Sequence, residues 1–177
     1  MNKILVLYKS KYGATKKYTE MLKNELPCDV YNVADYKKIQ LENYTCIIFA
    51  GAIYASGISG LNILRKNYKQ LQKKQIVIFC VGVSPFNKNA FEEIKIHNLK
   101  DDLKDIPIFY GRGAWSERKM TLKDRTLCKM LQKMVSKKSP DSYEPWEQAL
   151  MCAVGKECDW TDKKYLYPLL DYIKTFA

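Results

Sequence analysis

The stretch with the clearest chemical equipment lies near the N-terminus, where residues 8–15 read Tyr-Lys-Ser-Lys-Tyr-Gly-Ala-Thr. An apolar run precedes it and a helical pattern follows. A strand-to-helix junction of this kind presents unpaired backbone N–H groups and the positive end of the helix dipole. Ser10 and Thr15 add hydroxyl donors, and Gly13 lets the backbone come close to an anion. A phosphate monoester fits this equipment, and so does an ordinary hydroxyl-rich helix cap. The sequence has no GxxxxGK followed by Ser or Thr, which excludes a Walker A loop, and no GxGxxG dinucleotide fingerprint.

Two further loops follow apolar runs. Residues 51–57 (Gly-Ala-Ile-Tyr-Ala-Ser-Gly) come directly after the run at 45–50, and residues 81–86 (Val-Gly-Val-Ser-Pro-Phe) after the run at 76–81. In open α/β sheets ligands bind beyond the carboxyl ends of the strands, where these loops would fall. Tyr54 can stack on a flat ring, with Ala52 and Ile53 adding backbone and apolar contact; it can equally be a surface aromatic.

Ser10, Gly13 and Thr15, preceded by an aliphatic-aliphatic-aromatic run, resemble the phosphate loop of flavodoxins. The resemblance covers about residues 3–110 and implies an FMN cofactor used for electron transfer. It places the phosphate on Ser10, Lys11, Tyr12, Gly13, Ala14 and Thr15. It places the flavin ring between Ala52, Ile53, Tyr54 and Gly57 on one side and Gly82, Val83 and Ser84 on the other. The chain departs from the family at Thr19, where alanine is usual. The second ring loop also lacks the usual acidic residues and stacking aromatic, unless Phe86 serves.

The elements that must position these loops alternate. Strand-like runs at 4–8, 29–33, 45–50, 76–81 and 106–110 are interleaved with helical patterns at 15–26, 61–71 and 89–96. The unbroken apolar runs read as strands buried on both faces. The expectation is a single α/β domain over 1–177: a flavodoxin-like open parallel sheet, order 2-1-3-4-5, with helices on both faces. After Tyr110 the rhythm breaks. A Gly/aromatic turn at 111–115 leads to a basic helix over 121–138, then an irregular acidic and aromatic stretch at 139–160. A last helix spans about 162–176, with Thr161 or Asp162 as N-cap. An insertion of about residues 111–160 thus follows the last strand.

Net charge is +11, and much of it sits in this insertion. Arg112, Arg118, Lys119, Lys123, Arg125, Lys129, Lys133, Lys137 and Lys138 are opposed only by Glu117 and Asp124. The basic helix carries an apolar stripe of Leu127, Met130, Leu131, Met134 and Val135. Such a helix suits an anionic membrane surface, contacted through 118–138, or an amphipathic partner. It also suits simple packing on the domain with its lysines in water. The segment opening Phe109-Tyr110-Gly111-Arg112-Gly113-Ala114-Trp115 resembles, in position and character, the insertion of the bacterial menaquinone-dependent protoporphyrinogen IX dehydrogenases. That resemblance implies an FMN oxidoreductase in which Arg112 meets an acidic substrate, although Arg112 reads as readily as a surface residue.

Other classes find little support. Cys28, Cys46, Cys80, Cys128, Cys152 and Cys158 form no CxxC pair, and His97, in an expected exposed turn, has no nearby cysteine, so no metal site is expected. No secretion signal and no run near the ~20 apolar residues of a membrane span is visible, so a cytoplasmic protein, at most peripheral at the inner membrane face, is expected. Basic charge without aromatic interleaving argues against nucleic acid. The expected partners are a redox protein, a quinone or a small organic substrate, with a flavodoxin-like electron carrier as the alternative to an oxidoreductase. No catalytic residue is evident.

Overall fold

Alternation along unbroken apolar strands dictates two cores, one on each face of a sheet. The computed structural model describes residues 3–176 and has this arrangement. The first elements are β1 (Ile4–Lys9), α1 (Ala14–Glu25), β2 (Cys28–Asn32), β3 (Cys46–Tyr54), the short β4 (Gly57–Ile58), α2 (Leu61–Leu71), β5 (Gln75–Gly82), α3 (Lys88–Asn98) and β6 (Ile108–Arg112). The sheet order is β2-β1-β3-β5-β6, all parallel, with β4 folded back antiparallel on β3. Leaving out that hairpin, the parallel strands run in the expected 2-1-3-4-5 order, with right-handed crossovers the rule for such units.

Leu5, Leu7, Ile47, Phe49, Ile76 and Ile78 face one core, shared with Leu61 and Leu64 of α2 and with Phe91 and Ile94 of α3. Ile4, Val6, Ile48, Val77 and Phe79 face the other, against Tyr18 and Leu22 of α1 and the C-terminal helix. Each strand therefore holds both helical layers to the sheet, and the loops at its carboxyl end inherit that rigidity.

The remaining elements are β7 (Ala114–Ser116), α4 (Leu122–Val135), α5 (Pro145–Ala153), β8 (Glu157–Asp159) and α6 (Tyr167–Lys174). Here the structure corrects the sequence reading. The Gly/aromatic turn at 111–115 is instead the end of β6 followed by β7, and β7 pairs antiparallel with β8 in a second small sheet. The stretch at 139–160 is ordered: α5 begins at Pro145 with a capping box between Glu144 and Glu147. Both elements are short, three and nine residues, and bury few side chains: Trp115, Val135, Leu150 and Ala153 form the insertion's own core. The last helix begins with a 3-10 turn, Lys163–Leu166, capped by the Asp162 side chain. His97 lies in the last turn of α3 and not in a connecting turn, though it is exposed as expected.

Candidate functional site

The β1–α1 junction has the geometry that its residues call for. Gly13 is the N-cap of α1 at φ 100°, a left-handed conformation that only glycine adopts without strain, and no side chain caps the helix. The Gly13 N–H donates to Ser10 Oγ at 3.1 Å, which fixes the serine at the lip of the loop. The first intrahelical bond to this end comes from Lys17 N to Gly13 O, so the first-turn amides have no intrahelical acceptor. Thr15 is buried, and its Oγ1 has no hydrogen-bond partner. A buried orphan hydroxyl costs free energy unless a ligand satisfies it. Ser10, Gly13, Ala14 and Thr15 therefore fit a small oxyanion held on the helix N-terminus.

Beside this loop, between the strand ends and the insertion, lies a cavity of about 530 Å³. Tyr12, Ile53, Tyr54, Gly82, Val83 and Ser84 line it, as do Phe86, Phe91, Ile94 and Tyr110. The insertion supplies the opposite wall with Trp115, Met120, Asp124, Cys128, Leu131, Trp146 and Leu150. Phe86, Phe91 and Tyr110 pack with ring centroids 5.4–6.0 Å apart, so Phe86 is an aromatic of the second loop. Gly82 is required there, since a Cβ would lie 2.7 Å from the Tyr110 hydroxyl. The indole N–H of Trp115 is buried without a partner, a second unspent donor, and Asp124 is the charged group of this wall.

Not every expected residue lines the cavity. Ala52 and Gly57 do not. The segment at 51–57 is less of a loop than expected: β3 runs on to Tyr54, and a two-residue turn, Ala55-Ser56, returns the chain to Gly57. Both turn residues have positive φ (46° and 64°), the arrangement of a tight hairpin that usually takes Asn or Gly. Asn98, buried at the end of α3, holds it in place: its side chain accepts from Ile58 N (2.8 Å) and donates to Ser56 O (2.7 Å). Ser10, Lys11, Gly13, Ala14 and Thr15 stand next to the cavity and reach it through Tyr12.

The residue that joins these parts is Asp124, from the first turn of α4, which the sequence reading passed over. Its carboxylate is 4% exposed and accepts from Lys11 Nζ, the Tyr12 hydroxyl and, at 2.9 Å, the Tyr54 hydroxyl. Thr121 caps α4 by accepting from Asp124 N. Lys11 foremost, and then Tyr12, hold the Asp124 carboxyl down at about 2, while Lys11 itself is raised, chiefly by Asp124. One carboxylate thus ties the oxyanion loop, the Tyr54 turn and the insertion together. The only signal for it was that it is one of two acids in a basic segment.

Arg112 is also placed by the structure. Its Nε donates to Val83 O at 3.0 Å, and its guanidinium lies 4.0 Å from the Trp160 ring centroid. Its carbonyl accepts from the Tyr18 hydroxyl at 2.6 Å. These contacts brace the second loop and the insertion; Arg112 does not line the cavity. Among the described residues no cluster of His, Cys, Asp and Glu could hold a metal ion, and no helix is long and apolar enough to cross a membrane.

A family profile for the flavodoxin domain matches residues 5–142. No curated protein matches the sequence. Among solved structures, the chain is similar to the Trp repressor binding protein of Bacillus subtilis, at 19% identity over 62% of this chain and 84% of that one, with a TM-score of 0.42. A flavoprotein in complex with FMN from Lactobacillus acidophilus gives 14% identity over 63% and 93%, with a TM-score of 0.43. A flavodoxin, WrbA-like protein from Agrobacterium tumefaciens gives 17% identity over 71% and 88%, with a TM-score of 0.42.

Proposed function

Because this chain belongs to the flavodoxin domain family, we propose that it is an FMN oxidoreductase that acts on a flat organic substrate held between the strand-end loops and the insertion. FMN is its cofactor. Ser10, the first-turn amides and Thr15 hold the phosphate. Ile53, Tyr54, Gly82, Val83 and Ser84 flank the ring. Bound there, FMN supplies reversible transfer of electrons, and the protein supplies orientation and exclusion of water.

The observation that carries the reading is the cavity of about 530 Å³ and its far wall. A carrier that passes electrons from protein to protein works best with an exposed ring edge. Here α4, α5 and β7 stand over the strand ends, and aromatic side chains face the space between. An aromatic-walled slot suits a planar substrate, with Ser84 available for a polar group at its edge. Protoporphyrinogen IX as donor, with a menaquinone as acceptor, is the specific pair supported by the position and character of the insertion.

The test is anaerobic mixing of FMN-loaded protein with protoporphyrinogen IX, followed by a menaquinone analogue. The expected result is loss of the flavin absorbance on mixing, recovery of the flavin on adding the quinone, and growth of porphyrin fluorescence as excess quinone recycles the two-electron flavin through the six-electron oxidation. A flavin that stays oxidised overturns the substrate. A flavin reduced rapidly by a ferredoxin-type reductase and reoxidised only by another redox protein restores the carrier reading.

A further inference from the structure

The apolar stripe of the basic helix does not have one destination. Asp124, Cys128, Leu131 and Val135, spaced four, three and four residues apart, form the stripe turned to the insertion core and the cavity. Leu127, Met130 and Met134 repeat at the same spacing one step away and are exposed, the two methionines at 54% and 58%. Leu122 at the helix start is 80% exposed. Lys123 and Lys137 close the outer stripe at its two ends, and Lys129 and Lys133 flank it. These four lysines, with Lys119, are exposed and make no ion pair among the described residues. The acid of α4, Asp124, is turned inward, so no carboxylate on the helix offsets them.

We propose that this outer face of α4 docks the protein on an anionic lipid surface, with Leu127, Met130 and Met134 entering the headgroup region and the lysines meeting lipid phosphates. The pairing of exposed aliphatic and thioether side chains with uncompensated lysines is what selects lipid. A nucleic acid would satisfy the lysines and leave the apolar stripe in water, and the stripe has no aromatic residue to stack on bases. The length also fits: fourteen residues lie along an interface and do not cross it. The inference does not depend on the identity of the substrate.

The experiment is co-sedimentation of the FMN-loaded protein with vesicles of phosphatidylcholine alone or mixed with phosphatidylglycerol, at low and high salt. Partition into the anionic vesicles is expected, with little into the neutral ones and a loss at high salt. Lys129→Glu/Lys133→Glu is expected to weaken partition at least about tenfold, and Met130→Ser/Met134→Ser to weaken it with all charges in place. Every altered side chain is exposed, so an unchanged melting temperature and flavin content check the fold. Equal partition into both vesicles, or indifference to the lysine pair, overturns the proposal. So does indifference to the methionine pair, which marks a polyanion site in place of a lipid one.

Discussion

At the residue scale the account rests on Thr15 and Asp124, and they were unequally visible. Thr15 was legible because phosphate loops are local: Ser10, Gly13 and Thr15 lie within six positions of one strand-to-helix junction. The buried, unpartnered Thr15 hydroxyl makes a discriminating prediction. Thr15→Val removes no protein–protein hydrogen bond, so the melting temperature of the apoprotein is expected to hold or rise. FMN affinity is expected to fall about tenfold, the cost of one hydrogen bond to a charged oxygen; fluorescence quenching of FMN measures it. Asp124 was invisible because its partners, Lys11, Tyr12 and Tyr54, lie far away in sequence, and nothing in a basic helix marks one acid as structural. Asp124→Asn keeps the shape and removes the charge that Lys11 pairs with. FMN affinity is expected to drop about tenfold as the Tyr12 and Tyr54 positions loosen. The pH dependence follows from the sign of the shift. The folded carboxyl titrates at about 2 against an ordinary 3.8, so the unfolded chain takes up the proton first. The stability that Asp124 contributes is complete above pH 4 and is lost as pH falls towards 2. Acid denaturation of Asp124→Asn should lack that component.

At the scale of elements, the strands buried on both faces announced themselves through unbroken apolar runs, and α2 fell at the expected residues. Besides α5, two features escaped. The extension of β3 to Tyr54 was hidden by Gly51 and Ala52, which read as a loop but pair with Cys80 and Val81 in the sheet; Gly51 is glycine there because a Cβ would meet Ser59 O at 2.2 Å. The short strands β7 and β8, three residues each, are below the length at which alternation can be recognised. The Ala55-Ser56 turn gives a prediction of its own. Its strained backbone is held from outside by Asn98, a residue with no sequence signature. Asn98→Ala leaves the Ile58 N–H and the Ser56 carbonyl without their side-chain partner and should cost about 2–4 kcal/mol, read from urea unfolding. FMN binding should weaken in the same variant, because Tyr54 is part of that hairpin.

For the whole molecule, the question is whether the insertion is an independent unit or an extension of the sheet. Its core is small, and it is anchored to the parallel sheet and its loops by Asp124, by Gly113 N to Gly82 O at 2.7 Å and by Lys17 to Asp159 at 2.7 Å. It is therefore expected to unfold with the rest. All three tryptophans, Trp115, Trp146 and Trp160, lie in it, so tryptophan fluorescence reports the insertion while far-UV circular dichroism reports mainly the sheet and its helices. The two urea transitions should coincide; an earlier fluorescence transition would show a separately melting cap. The basic charge of the insertion was plain in composition, but its division into an inward and an outward stripe required the packing. The most direct measurement is an anaerobic titration of apoprotein with FMN, followed by flavin fluorescence and the visible spectrum. The account predicts saturable quenching at one FMN per chain, weakened by Thr15→Val and by Asp124→Asn. Quenching that never saturates, or affinity unchanged in both variants, would contradict it.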